Sequence, residues 1–200
     1  MLLPTYDFAS IVARLTGPFP QDTPSAEREA AVAAILRPSP EANGDAQILF
    51  IRRAEHPQDP WSGHMAFPGG RRDDSDTNLL ATAIRETREE VGLDLRAYGT
   101  LIARLADTPA IARGKRVGMT ITPFVFAIHP KSPPLSPNAE VSQTMWTPVG
   151  PLARGECQTS FPYLHEGQLL ELPALRAGER VVWGLTYQML QAFFARLHRP

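Results

Sequence analysis

The run Leu79-Leu80-Ala81-Thr82-Ala83-Ile84-Arg85-Glu86-Thr87-Arg88-Glu89-Glu90-Val91-Gly92-Leu93 decides how the rest of this chain is read. Leu80, Ala83, Ile84, Thr87 and Val91 recur at helical spacing, which predicts a helix over 79–91 with one apolar face. Gly92 closes it, because glycine enters the left-handed backbone of a C-terminal cap without a Cβ penalty, and Ser75, Asp76 or Thr77 is expected at the N-cap. The helix also carries Glu86, Glu89 and Glu90. At about 100° per residue these acids share a sector roughly 100° wide, beside the apolar stripe. Like charges at that spacing repel, and the last turns of a helix already disfavour anions. A bound cation removes both costs, and hard oxygen ligands suit Mg²⁺ or Mn²⁺ shared with substrate phosphates. Helix composition alone fits a solvated Glu/Arg surface better, with Arg85 and Glu89 paired and Arg88 screening the acids. The preceding Phe67-Pro68-Gly69-Gly70 tips the balance, since a glycine pair lets backbone turn sharply and approach an anion.

Working outward, Gln47–Arg53 reads as a strand bounded by Asn43-Gly44-Asp45, and Ala30–Leu36 reads as either helix or strand. Tyr6–Leu15 has a helical stripe at Phe8, Ile11, Val12 and Leu15; Gly17-Pro18-Phe19-Pro20 breaks it, and a polar connector runs to Glu27. Glu55–Pro68 is a structured loop leading into the short apolar element Met65-Ala66-Phe67. Downstream, Tyr98–Leu105 and Val117–Ile128 are expected strands, the second at an edge or bulge because Pro123 lacks an N–H. A proline-dense loop covers Pro130–Pro137, Met145–Pro148 reads as a final short strand, and Val181–Leu197 as an amphipathic helix built on Val182, Leu185, Met189, Phe193 and Leu197. Without regular alternation of strand and helix, the natural α/β packing is a mixed sheet covered by helices on both faces, in one domain spanning 1–200.

Composition narrows the function. Hydrophobic residues are 43% and charged residues 20%, an ordinary globular balance. A net charge of −1 supplies no field to gather nucleic acid or an acidic membrane, so an anionic substrate must be held by local cations or a metal. Cys157 is alone, which excludes an internal disulfide, suits a reducing compartment and reads as a small half-buried hydrophobe. Asp7 interrupts the only candidate for a leader peptide and no run approaches a membrane span, so a cytoplasmic location is expected.

Gly69-Gly70 through Leu93 closely resembles the signature box of Nudix hydrolases. Arg85-Glu86-Thr87-Arg88-Glu89-Glu90-Val91-Gly92-Leu93 matches its second half, with Thr87 in an apolar slot, and residues 69–93 are about an eighth of the chain. The first half is one residue longer than the family's usual spacing, so its acid falls on Asp76 counted forward or Thr77 counted back, Asp76 being taken as the counterpart. The resemblance implies a Nudix-type α/β/α sandwich with a mixed sheet, and hydrolysis of a nucleoside diphosphate linked to another group, with Mg²⁺ or Mn²⁺ as cofactor. It implies Glu86, Glu89 and Glu90 as metal ligands, Glu86 as the base and Arg85 as the group orienting a glutamate. Gly63-His64-Met65-Ala66-Phe67-Pro68-Gly69-Gly70 and Val182-Trp183-Gly184-Leu185-Thr186 further resemble the coenzyme A pyrophosphatase branch, which forms 3′,5′-ADP and 4′-phosphopantetheine. That branch usually carries an arginine where this chain has Asp59, an exchange that weakens recognition of a 3′-phosphate if that is the arginine's role. Pyrophosphatases for ADP-ribose, dinucleotides or nucleotide sugars, and a non-catalytic nucleotide- or protein-binding Nudix-like module, stand as alternatives. The expected partner is a small-molecule nucleoside diphosphate derivative, with a homodimer left open.

Other residues have narrower claims. Arg52 and Arg53 end a strand and reach for phosphate or solvent with equal right. His64, Phe67, Gly69 and Gly70 are the remaining substrate-binding candidates, although core filling is the better reading for Phe67. His56 reads as a loop residue; of Trp61, Trp146 and Trp183, all read as packing residues, Trp61 is the one best placed to line a pocket. Glu140, after the proline-rich loop, is a candidate distant acid set against plain surface charge.

Overall fold

In the computed structural model, residues 5–17, 28–42, 44–112, 114–129 and 131–198 are described. The expected breaker at 18–20, the polar connector up to residue 27, Asn43 and Pro130 lie outside them.

β1 (Arg28–Arg37) settles the ambiguity at Ala30–Leu36 in favour of a strand buried along that whole stretch. Alanine's helix preference is overridden because both faces are covered, which is what a continuous apolar run suits. β1 lies parallel to β7 (Lys115–Ile128), from Arg28↔Met119 to Leu36↔Ala127. β7 is therefore interior, so of the edge or bulge expected from Pro123 the edge is ruled out: β5 (Gly99–Arg104) and β6 (Thr108–Ala112) share its other side, each with a register shift against it. Pro123 sits where pairing passes from β6 to β5, and its carbonyl accepts the Leu105 N–H, so the missing donor falls at a changeover.

On the opposite side of β1, β2 (Gln47–Arg53) pairs only at Leu36↔Ile48 and Arg37↔Gln47 and then diverges. The gap is filled by one short segment. β3 (Met65–Ala66) pairs with β2, and β4 (Gly69–Arg71) pairs with β1 through Ala30↔Arg71, Ala31↔Gly70 and Val32↔Gly69. The glycine pair is thus wedged into a splayed sheet. β8 (Val141–Pro148) pairs along the far edge of β2 and is longer than the expected Met145–Pro148. Among the described residues the main sheet has eight strands.

Alternation along β1 divides the core. Ala31, Ala33 and Ile35 join Leu49 and Ile51 under α2 (Leu79–Val91) and α3 (Leu95–Tyr98), while Val32, Ala34 and Leu36 join Ile48 and Phe50 under α1 (Phe8–Leu15) and α5 (Gly184–Leu197). The result is the expected α/β/α sandwich on a mixed sheet. The expected strand at Tyr98–Leu105 begins one residue later, because α3 ends at Tyr98.

After α4 (Val149–Ala153) comes an antiparallel sheet that periodicity did not announce: β9 (Gln158–His165), β10 (Gln168–Ala177) and β11 (Arg180–Trp183). Met145–Pro148 is therefore not the last strand, and the helix expected from Val181 begins only at Gly184. Val182, placed by the helical reading on that helix's stripe, is a buried β11 residue instead. Gly184 at φ +62° makes the turn from strand to helix. No helix among the described residues is long and apolar enough to cross a membrane.

Candidate active site

Helix α2 is capped by Asn78, whose side chain accepts the Ala81 N–H, one residue beyond the predicted Ser75–Thr77 window. Gly92 takes the left-handed cap at φ +71° as expected. Asp76 has a different task. Its carboxylate receives Arg85 Nε at 3.0 Å and Nη2 at 2.8 Å, the Thr82 hydroxyl at 2.9 Å and the Asp73 N–H at 2.9 Å. These bonds, the Arg85 fork foremost, hold the Asp76 carboxyl well below the usual carboxylate range and push Arg85 up. Asp76, not Thr77, therefore stands opposite Arg85. Arg85 Nη1 reaches Glu86 Oε1 at 2.9 Å and Glu89 Oε2 at 3.0 Å, and Nη2 also reaches the Arg71 carbonyl at 3.1 Å.

Glu90 is only 3% exposed, and its Oε2 accepts the Gly69 N–H at 2.8 Å. Burial pushes its carboxyl up to about 7, opposed by that N–H and by Arg53. Burial also raises Glu86. The glycines explain how the acids come so close. Gly69 sits at φ +148°, and a Cβ there would run into the Ala31 carbonyl and Val32 Cα; a Cβ on Gly70 would lie within 2.6 Å of the Glu86 carboxylate.

The proline-dense loop is stapled to the end of α2. Ser136 N–H donates to the Val91 carbonyl at 2.8 Å and Asn138 N–H to the Glu90 carbonyl at 2.9 Å. Asn138 Oδ1 accepts the Glu140 N–H at 2.9 Å, and the Glu140 carbonyl accepts from Ala54. Glu140 is thereby brought to a cavity of about 600 Å³, which Glu86, Glu89 and Glu90 also line. One part of the remaining wall is apolar, with Met119, Leu185 and Met189 among its residues, while Arg53, His56, Gln58 and Asp59 make another part polar.

The donor set is all oxygen, and Glu90 is a buried carboxylate with no cation bonded to it, so the residues fit a hard divalent ion. Among the described residues no three His, Cys, Asp or Glu side chains converge as a finished cage. Arg85 engages an oxygen of Glu86 and of Glu89, and Gly69 one of Glu90. That is compatible with Mg²⁺, which is commonly held by one or two carboxylates plus substrate phosphates.

Of the predicted site residues, Arg85, Glu86, Glu89, Glu90, Gly69 and Gly70 come together as described. Arg53 lines the cavity and pairs with Asp59 at 2.7 Å. Arg52 does not line it; it pairs with Glu55 at 2.9 Å. His64 lines the cavity and leans on Trp183, ring centroids 4.5 Å apart, with burial lowering its pKa. Phe67 is core, 1% exposed and stacked on Phe50, yet borders the cavity floor. Trp61 lines the cavity as expected, its Nε1 donating to the Ile111 carbonyl at 3.1 Å, and Trp146 lies under Arg37. Several wall residues were missed as such, His56 and Gln58 among them. Trp183, read as packing, stacks on Phe161 and faces the cavity, and Arg71 lines it directly after the glycine pair, a position that could have flagged it.

The family model for the NUDIX domain matches residues 27–164. An uncharacterised protein of Schizosaccharomyces pombe is 40% identical over 115 residues, 56% of this chain and 35% of its own length. The mitochondrial coenzyme A diphosphatase NUDT8 of Homo sapiens is 32% identical over 162 residues, 78% of this chain and 65% of its own length. The chain thus spans less than two thirds of either relative. Among solved structures, a MutT/nudix family protein from Enterococcus faecalis shares the fold, with a TM-score of 0.55 and 18% identity over 86% of this chain and 63% of that one.

Proposed function

The chain belongs to the Nudix family, and from that premise we propose that it is a pyrophosphohydrolase that cleaves a nucleoside-diphosphate linkage with the help of Mg²⁺ or Mn²⁺. The observation that carries the reading is that Glu86, Glu89, Glu90 and Glu140 all line one cavity large enough for a nucleotide derivative. When bound, a divalent ion lowers the pKa of an attacking water and offsets the charge that builds on phosphorus oxygens.

The chain's own residues do the rest. Asp76 fixes Arg85, and Arg85 fixes Glu86 and Glu89 against their mutual repulsion. Gly69 and Gly70 let β1 and the Glu86 carboxylate pack directly against this segment beside the cavity. Glu86, half-buried and raised in pKa, is the group we assign to take the water's proton, with Glu140 as the nearby alternative. Arg53, oriented by Asp59, supplies positive charge on the same wall.

For substrate, we favour coenzyme A or a derivative, giving 3′,5′-ADP and 4′-phosphopantetheine. Support comes from the resemblance of the human diphosphatase and from the apolar wall of Met119, Leu185 and Met189, which suits an uncharged arm better than a sugar. The test is a panel assay with Mg²⁺ or Mn²⁺ on coenzyme A, dephospho-coenzyme A, NADH and ADP-ribose. Faster turnover of coenzyme A is expected; ADP-ribose or NADH as the best substrate would replace this assignment, and no turnover on any diphosphate would favour a binding module.

A further inference from the structure

We infer that Arg28 and Arg71 form a second anion site at the cavity rim, which takes a phosphate monoester carried by the nucleotide half of the substrate; this rests on the diphosphate reading above.

The two arginines are brought together by register. Arg71 stands opposite Ala30, and Arg28 lies two residues along the same strand, so both side chains emerge on the face that carries Ala30 and Val32. Arg28 is also level with Met119 of β7. Ala30, Val32 and Met119 all line the main cavity, so the pair marks the end of its floor. A groove of about 400 Å³ opens there, and Arg71 lines both it and the main cavity. An anion in the groove is therefore one residue along the chain from Gly70, on which the Glu86 carboxylate rests.

Neither of these two arginines of the groove is engaged by an acid among the described residues. Arg52, Arg53, Arg72, Arg85, Arg104 and Arg154 each meet a carboxylate. Arg28 and Arg71 meet none among the described residues; Arg88, Arg96 and Arg116 are alike in this, and what sets the pair apart is that both line one groove that opens beside the cavity. The groove's own acids are three. Glu29 holds Arg72 at 2.8 Å, Asp73 Oδ1 accepts the Ser75 N–H at 2.9 Å, and Asp74 has no partner among the described residues. Two arginines lining one groove can both donate to a phosphate monoester, which accepts from each. Asp59 works the other way on the main cavity, since it ties up one edge of Arg53. A second phosphate is therefore better received at the rim than beside Arg53.

The test compares adenosine 3′,5′-bisphosphate with adenosine 5′-phosphate by calorimetry on the full chain with Mg²⁺, for the parent protein, Arg28→Gln, Arg71→Gln and the double variant. The parent should bind the bisphosphate at least about tenfold more tightly, and the double variant should bring the ratio near one, with thermal melting retained. A ratio near one in the parent, a ratio that survives both substitutions, or a parallel loss of both ligands would each overturn the proposal. Turnover of coenzyme A and dephospho-coenzyme A by the parent is measured separately. Bisphosphate preference without turnover sinks the hydrolase reading alone; turnover without preference sinks the rim alone.

Discussion

Every donor of the Arg85 guanidinium has an acceptor: two on Asp76, one each on Glu86, Glu89 and the Arg71 carbonyl. An arginine has five such donors, so this side chain is fully committed. Asp76 is the residue that sets it, with a side chain 5% exposed. Asp76→Asn is expected to cost about 1–3 kcal/mol at pH 7, since it turns charge-assisted bonds into ordinary ones. The pH dependence has a definite sign. The folded-state pKa of Asp76 is depressed, so its stabilisation is complete above the unfolded value of about 4 and disappears as pH falls through the lower folded value. Thermal melts of parent and variant should therefore differ at pH 7 and converge as pH drops below about 4; a constant difference would refute the assignment. The identity of this acid was half legible. Spacing offered Asp76 or Thr77, and only the fork geometry of Arg85 chooses.

At the scale of elements, the wedge of β3 and β4 between diverging β1 and β2 is what carries the site. Two glycine substitutions separate its structural and chemical tasks. Gly69→Ala meets backbone atoms of Ala31 and Val32 at a φ of +148°, so the fold itself should lose roughly 2–4 kcal/mol. At Gly70→Ala the nearest atoms are those of the Glu86 carboxylate, the free end of a flexible side chain. Its melting temperature should stay within about 3 °C of the parent while kcat drops about tenfold or more, as Glu86 is displaced. Equal effects of the two on melting would contradict the separation. Helix α2 was readable because its apolar stripe and Gly92 agree. The wedge was not: Met65–Ala66 and Gly69–Arg71 are too short for periodicity, and their pairing depends on β1 and β2 parting, a tertiary event. The hairpin β9–β10 was hidden for another reason. Its exposed Leu164 and Leu169 break the alternation of apolar and polar residues that marks a half-buried strand.

For the whole molecule, local signals were enough for the α/β class, the box helix and the placing of its acids along one cavity, all of which depend on neighbours in sequence. What escaped them depends on neighbours in space. Pro123 left edge and bulge both open because strand position is decided by β5 and β6 handing over on one side of β7. Trp183 read as core because its cavity face is made by His64 and Phe161, remote in the chain. The sandwich then places apolar α5 residues and acidic α2 residues around one cavity, although the two helices lie on opposite faces of the sheet. On the proposed reading, that arrangement offers a diphosphate an acidic end that a cation would serve and offers its attached group an apolar wall. The most direct measurement is the Mg²⁺-dependent cleavage rate of coenzyme A by Glu90→Gln beside the parent protein. The amide keeps an acceptor for the Gly69 N–H and removes the buried charge, so the variant should melt no lower than the metal-free parent and turn over at least about a thousandfold more slowly. A variant that cleaves at the parent's rate would contradict the account.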